Sequence, residues 1–234
     1  MNKRKPFISI IIPTLNEEGY IENCLKSIKR QSYKNYEIIV TDAKSKDKTV
    51  KKAKKYADKV IVCKRAHIGY QCNQAAKKAK GEIIVVCGAD SILDENFLEI
   101  VVNGFKDQNI VGLSFIPYPS DSNNIFHKIL FKISHILLFL ATILNFPTST
   151  VAPTYRKDVF EKVGGYDEHI IPCEDHALAS EIKHYGKIKV MYFPVFTSCR
   201  RLKKAGILRT LVEYSIGTLH FLNGKSYHKF NNYR

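Results

Sequence analysis

The chain has 234 residues, 45% of them apolar and 25% charged, enough for one domain with a sizeable core. That balance excludes a disordered, collagen-like or disulfide-built chain, and no period of roughly 20–50 residues marks a repeat array. Lysine and arginine total 37 against 22 acidic residues, a net charge of +15, which suits phosphorylated ligands, anionic lipid or nucleic acid. Much of the excess reads as solvated helix faces, Lys44–Lys55 and Lys77–Lys80. No arginine-rich tract interleaved with aromatics and no zinc-finger spacing occurs, so nucleic acid is the weakest of the three partners.

The first half alternates strands and helices. Phe7–Ile12 is a nearly continuous apolar run, as a buried parallel strand requires. Glu17–Arg30 reads as a helix with Ile21, Cys24, Leu25 and Ile28 on one face. Strands follow at Glu37–Thr41, Lys59–Cys63 and Glu82–Cys87, separated by helices at Lys46–Ala57 and Gly69–Ala79. In the second half, helices are predicted at Asp94–Phe105, Asn123–Asn145, Lys157–Val163, Glu174–Tyr185 and Leu202–Leu222. Strands are predicted at Ile110–Ile116 and Lys187–Tyr192, and Gly164-Gly165 caps the helix before it. The six cysteines, Cys24, Cys63, Cys72, Cys87, Cys173 and Cys199, form no CxxC pair and read as reduced, mostly buried thiols of a cytosolic protein.

This order predicts an α/β fold: a single domain over 1–234, with a mostly parallel, Rossmann-like sheet flanked by helices. Residues 7–116 would form a nucleotide-binding half, 117–200 an acceptor half, and 201–234 a basic amphipathic helix and tail. Ligands of such sheets sit beyond the carboxyl ends of the strands. Pro13-Thr14-Leu15-Asn16-Glu17, Asp42, Arg65 and Asp90 should therefore line one site. A nucleoside diphosphate there needs cations, and a hard divalent ion prefers carboxylate oxygens. Asp90, in Gly88-Ala89-Asp90, is placed either to hold such an ion or to cap the helix that follows.

Several motifs resemble the family 2 glycosyltransferases. The Ile8–Asn16 run with Glu17 after it resembles their opening strand and loop, and Val40–Thr49 resembles their V-D-x-G-S-x-D-x-T loop. Arg65 with Gly69–Ala75 resembles their G-x-x-x-A-R-N-x-G helix start. Gly164-Gly165-Tyr166-Asp167-Glu168 and Glu174-Asp175 match their G-G-[FY]-D-E and E-D signatures. The resemblance covers about residues 7 to 200. It implies a GT-A fold and an inverting, metal-dependent, hexosyltransferase-type enzyme using a UDP- or GDP-linked sugar.

By that resemblance Thr14, Asn16 and Glu17 border the nucleotide, Pro13 shapes the loop, and Asp42 accepts an N–H of uracil or guanine. Arg65 donates to the base or the phosphates, and Asn73 caps or supports the pocket. Asp90 holds Mn2+ or Mg2+ against the diphosphate, and Ala89 beside it borders the nucleotide sugar. Gly88 stands where the family commonly has the first acid of Asp-x-Asp, and Lys44 stands in place of a glycine. Asp175, with Glu174 beside it, is the expected base, or else the pair only complements a helix dipole. Gly164, Gly165, Tyr166 and Asp167 would meet the acceptor. Arg200 and Arg201 suit either a diphosphate or a basic cluster near a membrane. His169, His176, His184 and His220 are candidate further ligands with no spacing that selects one.

The apolar stretch Ile133–Phe146 is about 14 residues long, too short to span a bilayer. The Asn123–Asn145 helix and the basic C-terminal helix either cover the sheet or attach the chain peripherally to an anionic membrane surface, on the cytoplasmic face. A polyprenyl-phosphate lipid or a glycan would then be the acceptor. Loss of the first acid leaves a second reading, a weak or inactive domain that binds nucleotide sugar or a partner.

Overall fold

The computed structural model of the chain describes residues 5–143, 151–170 and 173–222. In chain order the elements are β1 (Ile8–Thr14), α1 (Ile21–Lys29), β2 (Tyr36–Asp42), α2 (Thr49–Ala53), β3 (Lys59–Val62), α3 (Ile68–Ala76), β4 (Ile83–Val86), β5 (Ser91–Leu93) and α4 (Phe97–Gly104). Then come β6 (Ile110–Pro119), α5 (Ile125–Ile143), β7 (Val151–Arg156), α6 (Lys157–Lys162), α7 (Glu174–Ile182), a single 3-10 turn, β8 (Lys187–Thr197), α8 (Arg200–Ala205) and α9 (Ile207–Leu222). Asn145, Phe146 and Pro147, and the tail after Leu222, lie outside the described residues.

One sheet runs β3-β2-β1-β4-β7-β6-β8-β5. The pairs β1–β2, β2–β3, β1–β4 and β6–β8 are parallel. Strand β7 is antiparallel to both β4 and β6, and β5 is antiparallel to β8. Alternate side chains of β1 feed the two cores. Ile10 and Ile12 pack with Leu25 and Ile28 of α1, while Ile11 packs with Cys72 and Ala75 of α3. The continuous apolar run of β1 is explained by this burial on both faces.

Strand order reverses at β1. The chain moves outward through β2 and β3, then returns to lay β4 on the other side of β1. That switch point opens a crevice beyond the carboxyl ends of β1 and β4, where open α/β sheets bind ligands. Residues 15–20 and 87–90 leave the sheet there.

Several predicted boundaries shift for local reasons. Helix α1 begins at Ile21 rather than Glu17, because the amides of Glu17 and Glu18 donate to Thr49 Oγ1 and Asp47 Oδ2. Helix α2 is shorter than predicted because the amides of Lys46 and Lys48 donate to Asn16 Oδ1 and Glu18 Oε2. The single C-terminal helix predicted over Leu202–Leu222 is two helices, parted at Gly206, whose φ is +80°. Strands β5 and β7 were not predicted at all. Five of the six cysteines are buried, Cys173 is half-exposed, and all are free thiols.

Candidate active site

The two loops leaving β1 and β2 are laced together. Thr14 Oγ1 donates to Asp42 Oδ1 at 3.0 Å. Ser45 donates twice to the same carboxylate, from its amide at 2.8 Å and its hydroxyl at 2.5 Å. Asp42 is 1% exposed, so these bonds replace the water it has lost. The amide of Asn16, a left-handed residue with φ +54°, donates to Ser45 Oγ at 2.8 Å. Lys44 also adopts φ +62° with its side chain exposed to solvent. A positive φ is the backbone reason a glycine would be at ease in that place. Gln71 of α3 closes the lacing, its amide donating to the carbonyls of Thr14 and Thr41 at 2.9 and 2.8 Å.

A cluster of charges fills the crevice. The guanidinium of Arg200 donates to Glu17 through Nη1 at 2.5 Å and Nη2 at 2.9 Å, and its Nε lies 3.0 Å from Asp90 Oδ2. The Tyr20 ring stacks on the same guanidinium at 4.9 Å. Helix α8 is carried to this point by Asp121, which accepts from Ser198 Oγ at 2.9 Å and Cys199 N at 2.7 Å. Ala89 is buried under the loop, and Pro13 sits in register with Thr41.

A second cluster lies beside α3. Asn73 is buried, its amide nitrogen donating to Tyr166 O at 2.9 Å and its oxygen accepting from Tyr166 N at 2.9 Å. Glu168 accepts from Asn73 at 3.2 Å and is ion-paired with Arg65. Gly164 and Gly165 have φ of +82° and +77°, and a Cβ on Gly165 would come within 2.5 Å of Asn73 Oδ1. The Tyr166 hydroxyl donates to Asp175 Oδ1 at 2.7 Å. Burial pushes the Asp175 carboxyl above the usual carboxylate range, partly offset by the Tyr166 hydroxyl and the His176 charge.

The expected residues thus fall in two groups joined through α3. Thr14, Asn16 and Asp42 hold the loops, and Glu17 meets Asp90 and Arg200. Asn73, Tyr166 and Asp175 form the other group. Three of the expected residues have partners outside the charge cluster. Arg65 pairs with Glu168 and stacks over Tyr70 at 4.3 Å. Tyr166 is buried, with its hydroxyl on Asp175. Arg201 pairs with Glu213 of α9 at 3.8 Å. Gly164 and Gly165 line a cleft of about 260 Å³ with Lys77, Phe160, Glu161 and Glu168. None of the charge cluster lines that cleft. The Asp167 carboxylate accepts from His169 N at 2.8 Å and is exposed. Glu174 opens α7 next to Asp175.

Glu168, Gln71 and Ser45 were not singled out from the sequence. Glu168 was within a recognised motif, but its partners are 95 and 103 residues away. Ser45 and Gln71 also lay within the Val40–Thr49 and Gly69–Ala75 motifs, but their partners, Asp42 with Asn16 and the carbonyls of Thr14 and Thr41, are set by the fold.

A family model described as glycosyl transferase family 2 matches residues 9–164, most of the region just built. The chain is a member of glycosyl transferase family 2. It is 37% identical over 102 residues to dolichyl N-acetyl-alpha-D-glucosaminyl phosphate 3-beta-D-2,3-diacetamido-2,3-dideoxy-beta-D-glucuronosyltransferase of Methanococcus voltae, covering 40% of this chain and 32% of that one. It is 31% identical over 200 residues to the O-antigen chain rhamnosyltransferase RfbN of Salmonella typhimurium, covering 79% and 63%. The chain therefore spans about a third to under two thirds of these relatives' length. Among solved structures, the mannosyltransferase PcManGT from Pyrobaculum calidifontis in complex with GDP-Man and Mn2+ superposes with a TM-score of 0.70 at 20% identity, over 92% of this chain and 65% of that one. The fold of this family 2 chain is therefore GT-A.

Within the described residues no three acidic, histidine or cysteine groups gather as a ready metal site. The crevice nonetheless fits a cation. Glu17 and Asp90 close on the guanidinium of Arg200, which stands in for a positive ion between two carboxylates.

Proposed function

We propose that this chain is an inverting glycosyltransferase that moves a sugar from a UDP- or GDP-linked donor to a glycan or a polyprenyl-phosphate-linked acceptor. The observation that carries the reading is the Glu17–Arg200–Asp90 cluster at the sheet's switch point. A diphosphate entering there meets a guanidinium that can turn from carboxylates to phosphate oxygens, the bidentate pairing arginine makes best. Asp90 would then be released to hold Mn2+ or Mg2+, with phosphate oxygens and water completing its shell. When bound, that ion offsets the charge developing on the leaving diphosphate. A structural neighbour of the same fold is in complex with GDP-Man and Mn2+, which supports a nucleotide-sugar donor used together with a divalent ion.

Asp175 is the base. As the acceptor oxygen bonds to the anomeric carbon and the bond to diphosphate breaks, the acceptor proton passes to the Asp175 carboxylate. A carboxyl held above its ordinary range binds that proton more firmly. Asp42 would reach a base only by exchanging its Ser45 bonds. In this reading Asn73 and Tyr166 are positioning residues, and Gly164, Gly165 and Asp167 border the acceptor side.

A catalytically weak domain is the second reading. Gly88 leaves one carboxylate in the motif, and that carboxylate is already paired with Arg200. Thermal-shift screening of nucleoside-diphosphate sugars with and without Mn2+ separates the two, because a ligand that binds the folded state raises the melting point. Turnover with the stabilising donor that vanishes in Asp90→Ala supports the enzyme. Donor-dependent stabilisation with no hydrolysis or transfer supports the weak domain, and no stabilisation by any donor sinks both.

A further inference from the structure

Helix α5 is turned inside out for a helix in water. Its inward side is partly polar. His127 is buried with Nδ1 2.7 Å from Ser122 Oγ, and His135 Nε2 is 2.7 Å from the Pro117 carbonyl. Among the described side chains of α5, Leu138 alone joins a buried apolar cluster, with Ile116 and Val190. Its outward side is apolar. Ile125, Phe126, Ile129, Ile133, Ile136 and Leu137 are all exposed, Phe126 to 64% and Leu137 to 60%. At about 100° per residue these six cover an arc of about 120°. A surface helix normally buries that stripe and exposes the polar one.

The edge of the arc is cationic. Lys132 and Lys128, both exposed, follow about 20° and 60° beyond Ile125 on the helical wheel. No acidic residue occurs anywhere in α5. An apolar stripe bordered by lysines fits the interface of an anionic bilayer, where the stripe enters the acyl boundary and the lysines reach the headgroups. No helix among the described residues is long and apolar enough to cross a membrane. A second copy is the poorer occupant, since each chain brings a net charge of +15 to the contact.

We propose that the outward face of α5 is a docking surface for an anionic lipid bilayer. It begins four residues after Asp121, the carboxylate that holds the Ser198–Cys199 turn and, through it, Arg200. Membrane contact and the crevice therefore share one structural junction. A lipid-linked acceptor follows only if the glycosyltransferase reading holds, whereas the docking itself does not depend on it.

Vesicle flotation tests this with no nucleotide sugar present. The chain is mixed with vesicles of phosphatidylcholine alone, or of phosphatidylcholine with phosphatidylglycerol, at physiological salt. It should float with the anionic vesicles only. Ile133→Ser with Leu137→Ser, two exposed positions whose change leaves net charge unaltered, should lower partitioning about tenfold or more. Lys128→Glu with Lys132→Glu should lower it too, through the headgroup attraction. Absence of flotation with anionic vesicles, or unchanged flotation of the serine variant, overturns the proposal. So does a wild-type dimer in sedimentation that the serine variant dissociates, which would assign the face to a second copy.

Discussion

Removing the guanidinium of Arg200 tests the charge cluster most directly. In Arg200→Ala, Glu17 and Asp90 keep their places but lose the cation between them. The side chain of Glu17 is 2% exposed, that of Asp90 17% and that of Arg200 16%, so water replaces little of what is lost. Breaking a buried pair by deleting one partner costs about 3–5 kcal/mol, and the partial exposure of Asp90 places this case near the lower end, about 3 kcal/mol. In a domain of this length each kcal/mol lowers the melting point by about 2–4 °C, so the variant should melt about 6–12 °C below the parent. The vacated position lies between two carboxylates, so millimolar Mn2+ should recover part of that loss in the variant and raise the parent much less. Differential scanning calorimetry of both proteins, with and without Mn2+, reads both effects. A variant melting within about 2 °C of the parent would refute the buried pair as a stabilising feature. Equal stabilisation of both proteins by Mn2+ would show that the ion does not take the position Arg200 holds.

Further outcomes follow from the same geometry. Asp175→Asn should lower kcat by about 10²–10⁴, the range of a lost general base. Tyr166→Phe removes the hydroxyl that draws the Asp175 carboxyl back down, so the acid limb of the pH–rate profile should move to higher pH. The sign for stability is consistent: a carboxyl raised by folding contributes fully below its unfolded value and loses that contribution as pH rises through its folded one. Tyr166→Phe should therefore lose more stability than the parent as pH rises across that window, measured by urea unfolding. Gly164→Ala, with open space and φ +82°, should cost about 1–2 kcal/mol of left-handed strain in urea unfolding. Gly165→Ala should cost about 1–3 kcal/mol more, because its Cβ meets Asn73 Oδ1 and disturbs the bond to Tyr166 N. Gly88→Asp places a Cβ 3.0 Å from Asp90 Oδ1, so it should destabilise the metal-free protein and tighten Mn2+ binding in titration calorimetry.

The parallel half of the fold was legible because local pattern and tertiary role agree there. Ile8–Thr14, Tyr36–Asp42 and Ile83–Val86 are buried or nearly so along their length, and an apolar run is the signature of such strands. Strand β7 contains Pro153 and no alternation, and β5 has three residues, so pairing with β4 and β8 makes them strands where sequence pattern does not. Asp90 was found from its place after β4. Arg200 was also singled out, but its pairing with Asp90 was not, because Arg200 lies 110 residues on and is carried there by a turn that Asp121 holds. Arg65 follows β3 as predicted, but its pairing with Glu168, 103 residues on, had no local signal.

Asn73 gives the chain a rule about where it can be cut. The family match ends at Gly164, and a truncation drawn there would look natural on an alignment. Both atoms of the Asn73 amide, however, are answered by the backbone of Tyr166, two residues past that line. A fragment ending at Gly164 would lose both bonds and uncover the face of α3, Cys72 with Ala75 and Ala76, on which Tyr166 packs. The residues just past the family match are therefore part of what supports α3, and through it the Gln71 bonds that tie the β1 and β2 loops.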